Sequence, residues 1–145
     1  MFKHILIPLD GSLLSEGAVR QGLRLAKILG ARVTAFHVTP KFHSAGAAME
    51  LLSSTAAACP IDAAERAEAV LRFAARIASG LGVDCELDYV CGDSPFEEII
   101  DAADRKACDL IVMASHGRRG IEGVLLGSQT HRVLTHSRIP VLVYR

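Results

Sequence analysis

"CDLIVMASHGRRGIEGVLLGS", residues 108–128, sets an apolar run against a loop punctuated by glycine and ends on Ser128, where helical spacing begins. Leu110 to Met113 are apolar at successive positions, the pattern of a strand covered on both faces. Sheets of that kind take ligands at the carboxyl ends of their strands. If "DLIVMAS" (109–115) is such a strand, its loop is the first place to look for chemistry.

Three other runs share its character: "HILIPL" (4–9), "RVTAFHV" (32–38) and "PVLVY" (140–144), all short and rich in branched residues. "VDCELDYV" (83–90) differs, because Val83, Cys85, Leu87 and Tyr89 alternate with Asp84, Glu86 and Asp88. That alternation predicts an edge strand with one wet face.

Helical patterns fill the intervals. Ala18, Val19, Gly22, Leu23, Ala26 and Leu29 keep three-and-four spacing, and Gly30 supplies the stop. Ala67, Val70, Leu71, Ala74, Ile77, Ala78 and Leu81 predict a second helix over about 60–80. In "SPFE", Ser94 is the expected cap, Pro95 the first helical residue and Glu97 the reciprocal partner of a capping box. A fourth helix is predicted over 128–137, with Val133 and Leu134 toward the sheet.

Strand and helix in alternation predict a parallel sheet with right-handed crossovers and helices on both faces. At 145 residues the chain fits a single domain, 1–145. Residues 39–59 form the one long connection without a firm pattern; a short helix around Ala47 to Leu52 fits there, and the segment reads equally as a cover over a site or as an insertion without a role.

Sixteen basic residues balance sixteen acidic ones, so no overall field draws the protein to nucleic acid or an anionic membrane. The opening "MFKHILIPLDGS" meets Pro8 and Asp10 too early for a signal peptide, and no stretch reaches membrane-spanning length. The expectation is a cytoplasmic protein. Cys59, Cys85, Cys91 and Cys108 lack metal-ligand spacing, and in a reducing compartment buried free thiols are expected in place of disulfides.

Neither GxxxxGK[ST] nor a GxGxxG after the first strand is present. What remains is a loop from Gly117 to Gly127 followed by Ser128 at a helix start. Glycine lets backbone approach an anion, and the first amides of a helix are unpaired donors at the positive end of its dipole. Gly127, Ser128 and Gln129 are candidates for main-chain contact with phosphate; Arg118 and Arg119 add cations, and His116 a donor. Taken singly, each has an ordinary explanation: glycines turn, serines cap and loop arginines are solvated.

Together with other segments these residues are recognisable. "PLDGS" after the first strand, "HV" ending the second, "GDSPFEEI" after the third, "MASHGRRG" with "LLGSQTHRVL", and the closing "SRIPVLVY" resemble the universal stress protein family over the whole length. The resemblance implies an open five-stranded parallel sheet of order 3-2-1-4-5. Nucleotide-binding members carry Gly-x2-Gly-x9-Gly-[Ser/Thr], which falls on Ala114, Gly117, Gly127 and Ser128, so alanine replaces the first glycine. A strand-ending residue need not take positive φ, and alanine is the smallest substitute.

The resemblance further implies an ATP site, with or without Mg²⁺. Its residues would be Pro8, Leu9, Asp10 and Ser12 after the first strand, Val38 after the second, and Met113, Ala114, Ser115, His116, Gly117, Arg118, Arg119, Gly127, Ser128, Gln129 and Thr130 around the loop. By the same resemblance Asp10 faces ribose or metal, Val38 main chain meets the adenine edge and Met113 lies against the base. The residues alone allow an Asx turn at Asp10 and core packing at Val38 and Met113.

His116 has no evident group to orient it as a base, so a binder with little or no hydrolysis is expected. Two alternatives are a stress-linked dimer that binds no nucleotide, and a slow ATPase or nucleotidyl-transfer enzyme. Related adenylate-forming folds would show HxGH or Ser-Gly-Gly after the first strand, and "PLDGS" is neither. In the implied strand order "PVLVY" is an apolar edge, which predicts a homodimer through the last strand.

Overall fold

The computed structural model describes residues 1–41, 59–117 and 126–145. The helix expected around Ala47 to Leu52, and the arginines 118 and 119, lie outside these residues. Strands β1 (His4–Pro8), β2 (Arg32–Thr39), β3 (Cys85–Cys91), β4 (Leu110–Ala114) and β5 (Val141–Tyr144) form one parallel sheet of order β3-β2-β1-β4-β5. Helices α1 (Leu13–Leu29), α2 (Ala63–Leu81), α3 (Pro95–Arg105) and α4 (Ser128–His136) alternate with them.

The apolar runs give two cores, one on each face of the sheet. Ile5, Ile7, Val33, Ala35, Leu110 and Val112 pack with Val19, Leu23, Ala67, Leu71 and Ala74 of α1 and α2. Leu6, Phe36, Ile111 and Met113 pack with Ile99, Ala102 and Val133 of α3 and α4. The period-two alternation of β1 and β4 thus divides between two apolar layers, which is why neither strand shows a polar face. Leu23 is wholly buried, so truncating it to alanine costs about 2–5 kcal/mol. Gly22 brings α1 down on the sheet: a β-carbon there would stand 2.6 Å from Ile7 Cδ1.

Gly30 ends α1 as expected, at φ +63°, with the Ala31 amide donating back to the Ala26 carbonyl at 2.9 Å. The capping box of "SPFE" is not formed. Ser94 precedes Pro95, but its side chain makes no cap bond; Gln129 Oε1 from α4 instead accepts the Phe96 amide at 3.0 Å. At α4 the cap is Gly127, and Ser128 is the first helical residue. Val133 is buried there, whereas Leu134, a helical step of about 100° further round, is 40% exposed.

Strand β3 lies at an edge, as the alternation predicted, but Leu87 and Tyr89 of its apolar set are also exposed because α2 covers mainly the Cys85 end. The expectation of four free thiols is corrected at two of them. Cys59 and Cys91 are joined, with Cα atoms 5.5 Å apart, because the chain re-enters α2 beside the carboxyl end of β3. Cys85 and Cys108 are free.

The opposite end of the sheet is tied by polar bonds. His4 is buried, with Nδ1 donating to the Lys106 carbonyl at 3.0 Å and Nε2 2.8 Å from Thr34 Oγ1. Lys106 Nζ bridges Glu86 and Asp88, and Asp109 accepts the amides of Lys3 and His4.

Candidate functional site

At the carboxyl ends of β1, β2 and β4 lies an open cleft of about 180 Å³. β1 and its exit contribute Pro8, Leu9 and Asp10; β2 contributes Phe36, His37 and Val38; β4 and its loop contribute Met113, Ala114, His116 and Gly117. Ser15 of α1, Pro95 and Ile99 of α3, and Gln129 and Thr130 of α4 complete the wall. The crevice sits where the chain order reverses about β1, between neighbours β2 and β4.

Two glycines shape it by close approach, at ordinary negative φ. A β-carbon on Gly117 would collide with Asp10 Oδ2. One on Gly127 would stand 3.0 Å from His116 Cα and 3.3 Å from the Ser115 carbonyl, to which the Gly127 amide donates at 2.7 Å. Thr130 Oγ1 donates to the Ala114 carbonyl at 2.9 Å, so the first turn of α4 is fastened to the end of β4.

Ala114 itself is an ordinary strand residue, in register with Tyr144 and without positive φ. The methyl group imposes no backbone strain.

The Asx turn at Asp10 forms, with Oδ1 accepting the Ser12 amide at 3.0 Å. Ser12 in turn caps α1, its hydroxyl accepting the Ser15 amide. His37 Nδ1 donates to the Leu9 carbonyl at 2.9 Å. Ser115 is buried, its hydroxyl 3.1 Å from His116 Nδ1. Ser12, Ser115, Gly127 and Ser128 stand beside the cleft without lining it. Among the described residues no cluster of three or more His, Cys, Asp or Glu could hold a metal ion.

The amino ends of α1, α3 and α4 all open at this rim, so an electrically neutral chain presents a local concentration of partial positive charge. Sequence reasoning missed Ser15, Phe36, His37, Pro95 and Ile99. Phe36 was within reach, because it shares the face of Val38 two residues on.

The family model described as "Universal stress protein family" matches residues 1–145. The chain belongs to the universal stress protein family. A universal stress protein of Methanocaldococcus jannaschii is 32% identical over 149 residues, covering 100% of this chain and 83% of that one. Universal stress protein UspA from Lactobacillus plantarum has a structure similar at TM-score 0.80, with 25% identity, covering 99% of this chain and 98% of that chain. A universal stress protein solved in complex with cAMP is similar at TM-score 0.73, with 26% identity and coverage of 99% and 97%. No helix among the described residues is long and apolar enough to cross a membrane.

Proposed function

We propose that this universal stress protein binds an adenine nucleotide in the cleft and regulates through binding, with little or no turnover. The observation that carries the reading is the cradle made by Gly117 against Asp10 and by the start of α4 against β4, where a β-carbon on Gly117 would displace the Asp10 carboxylate and one on Gly127 would crowd the His116 backbone. Exposed main chain at Gly117 and the free amides of the first turn of α4 suit phosphate; the apolar faces of Val38, Met113 and Ile99 suit a base. The related protein in complex with cAMP supports an adenine ligand.

ATP with Mg²⁺ fits the same donor set: Asp10 is a carboxylate at the rim, and Mg²⁺ is ordinarily held by one or two carboxylates together with phosphate. When bound, the ion would neutralise phosphate charge. The chain's own residues would orient the nucleotide, Asp10 at ribose or metal and Gln129 and Thr130 at the phosphate end. Asp10 Oδ1 accepts the Ser12 amide, and His116 Nδ1 lies against the neutral Ser115 hydroxyl in place of a carboxylate that would strengthen it as a base for water.

The protein works in the cytoplasm as a homodimer joined through β5, which ends the sheet among the described residues and carries Leu142 at 43% exposure. Calorimetric titration with AMP, cAMP and ATP, with and without Mg²⁺, tests the reading. Saturable binding of at least one of them is expected, with phosphate release from ATP far below the usual enzyme scale of about 1 per second or more. Absence of binding for all three overturns it.

A further inference from the structure

Cys59 and Cys91 are 32 residues apart in sequence, yet the fold holds their Cα atoms at 5.5 Å, within the span a disulfide requires. Cys59 is exposed immediately ahead of α2, and Cys91 closes β3. Neither lines the nucleotide cleft.

The other two cysteines provide an internal contrast. Burial pushes the Cys85 thiol up and the Cys108 thiol to about 11, so both stay protonated at neutral pH. Cys108 is also shut away from solvent. Cys59 is the exposed one of the four, and its sulfur is paired with that of Cys91.

We propose that Cys59 and Cys91 form a reversible, peroxide-responsive thiol–disulfide site that fastens the start of α2 to the end of β3. In a reducing compartment the dithiol is the resting form, and a disulfide there is characteristically transient and redox-sensing. The Cys59 thiolate attacks one peroxide oxygen and the O–O bond breaks; with proton uptake this yields Cys59 sulfenic acid and a first water. Cys91 sulfur then attacks Cys59 sulfur, the S–O bond breaks and a second water leaves. Both sulfurs are oxidised to the disulfide, and hydrogen peroxide is reduced to water. A cellular dithiol reverses the step by exchange, itself becoming a disulfide.

The bond closes a loop that contains α2 and most of β3. Oxidation therefore restricts the unfolded chain and secures an edge strand that, among the described residues, pairs in the sheet with β2 only. Thr39, paired in register with Cys91, has a buried hydroxyl without a hydrogen-bond partner among the described residues. It is a donor one strand away from the Cys91 sulfur.

The test uses the full chain, reduced with dithiothreitol, freed of reductant and treated with stoichiometric hydrogen peroxide. Free thiols are then blocked with N-ethylmaleimide and the sites mapped by tandem mass spectrometry. A Cys59–Cys91 link with Cys85 and Cys108 still thiols is expected, reversed by dithiothreitol without denaturant. The oxidised protein is expected to melt roughly 5–10 °C above the reduced one, and Cys59→Ser, at an exposed position, to abolish both link and shift. Peroxide that leaves Cys59 and Cys91 unlinked, a link made to Cys85, or equal melting of the two forms overturns the proposal. A bond that resists dithiothreitol in the folded protein overturns its reversibility.

Discussion

Gly117 faces Asp10 so closely that a β-carbon there would displace the Asp10 carboxylate. Gly117→Ala must therefore move the carboxylate or the loop. Because Gly117 is exposed and has no positive φ, the fold has little stake in it. Nucleotide affinity is expected to fall at least about tenfold, or ~1.4 kcal/mol, with the melting temperature nearly unchanged. Wild-type affinity by calorimetry would remove this contact from the site.

At Ala114 the expectation runs the other way. Its conformation is one any residue adopts, and the cleft is already open beside it. Ala114→Gly should retain or tighten nucleotide binding while lowering stability by about 0.5–1 kcal/mol through the freer unfolded chain. A folded variant that binds markedly more weakly would show that the methyl group contributes to the pocket.

Gln129 ties α4 to α3 through the Phe96 amide. Gln129→Ala leaves that amide without its acceptor, an expected cost of about 1 kcal/mol in urea unfolding. Gln129→Glu keeps an acceptor and should lose less. Equal losses in both variants would argue against the cap.

His4 supplies a pH dependence at the far end of the sheet. Burial, aided by the Arg32 charge, holds its imidazole below the ordinary 6.5, against the pull of the Lys106 carbonyl, Glu86 and Asp109. The neutral ring is thus the folded form, and the unfolded chain takes up the proton more readily. The stability contributed is complete above about pH 6.5 and drains away as pH falls through the lower folded value. Urea midpoints should decline between pH 7 and 5, and His4→Gln should flatten that decline. A slope unaltered by the substitution would assign the decline to other groups.

Leu142 is exposed on the outer strand. A lysine there should shift a dimer toward monomer in sedimentation equilibrium. Monomeric wild type at high micromolar concentration would rule out the β5 interface.

The fold was legible because short apolar runs at Ile5 to Ile7 and Leu110 to Val112, alternating with helical patterns, fit strands covered on both sides. The strand order came through the family resemblance, since periodicity carries no information about neighbours. At the site, residues following strand ends were readable as a group; those contributed by helices from the side, Ser15 and Ile99, were not, because helical spacing looks the same over a core or a cleft. The Cys59–Cys91 pairing and the Gln129 cap were invisible for one reason. Each joins segments that only the completed fold brings together, and local patterns at Ser94 and Glu97 pointed to a nearer partner that the structure leaves unused.

β1 is central, yet its partners are sequentially remote: Ile5 pairs with Val33 on one side and with Leu110 on the other. During synthesis at about 5–20 residues per second, the strand emerges long before β4. Its second edge then waits on the order of 5–20 seconds for a mate, exposing an apolar strand to whatever else the cell offers. Closure over that distance is slow relative to local pairing. Newborn chains of this protein therefore have the profile of a chaperone client, a vulnerability absent from the finished molecule and set by the position of one strand in the sheet.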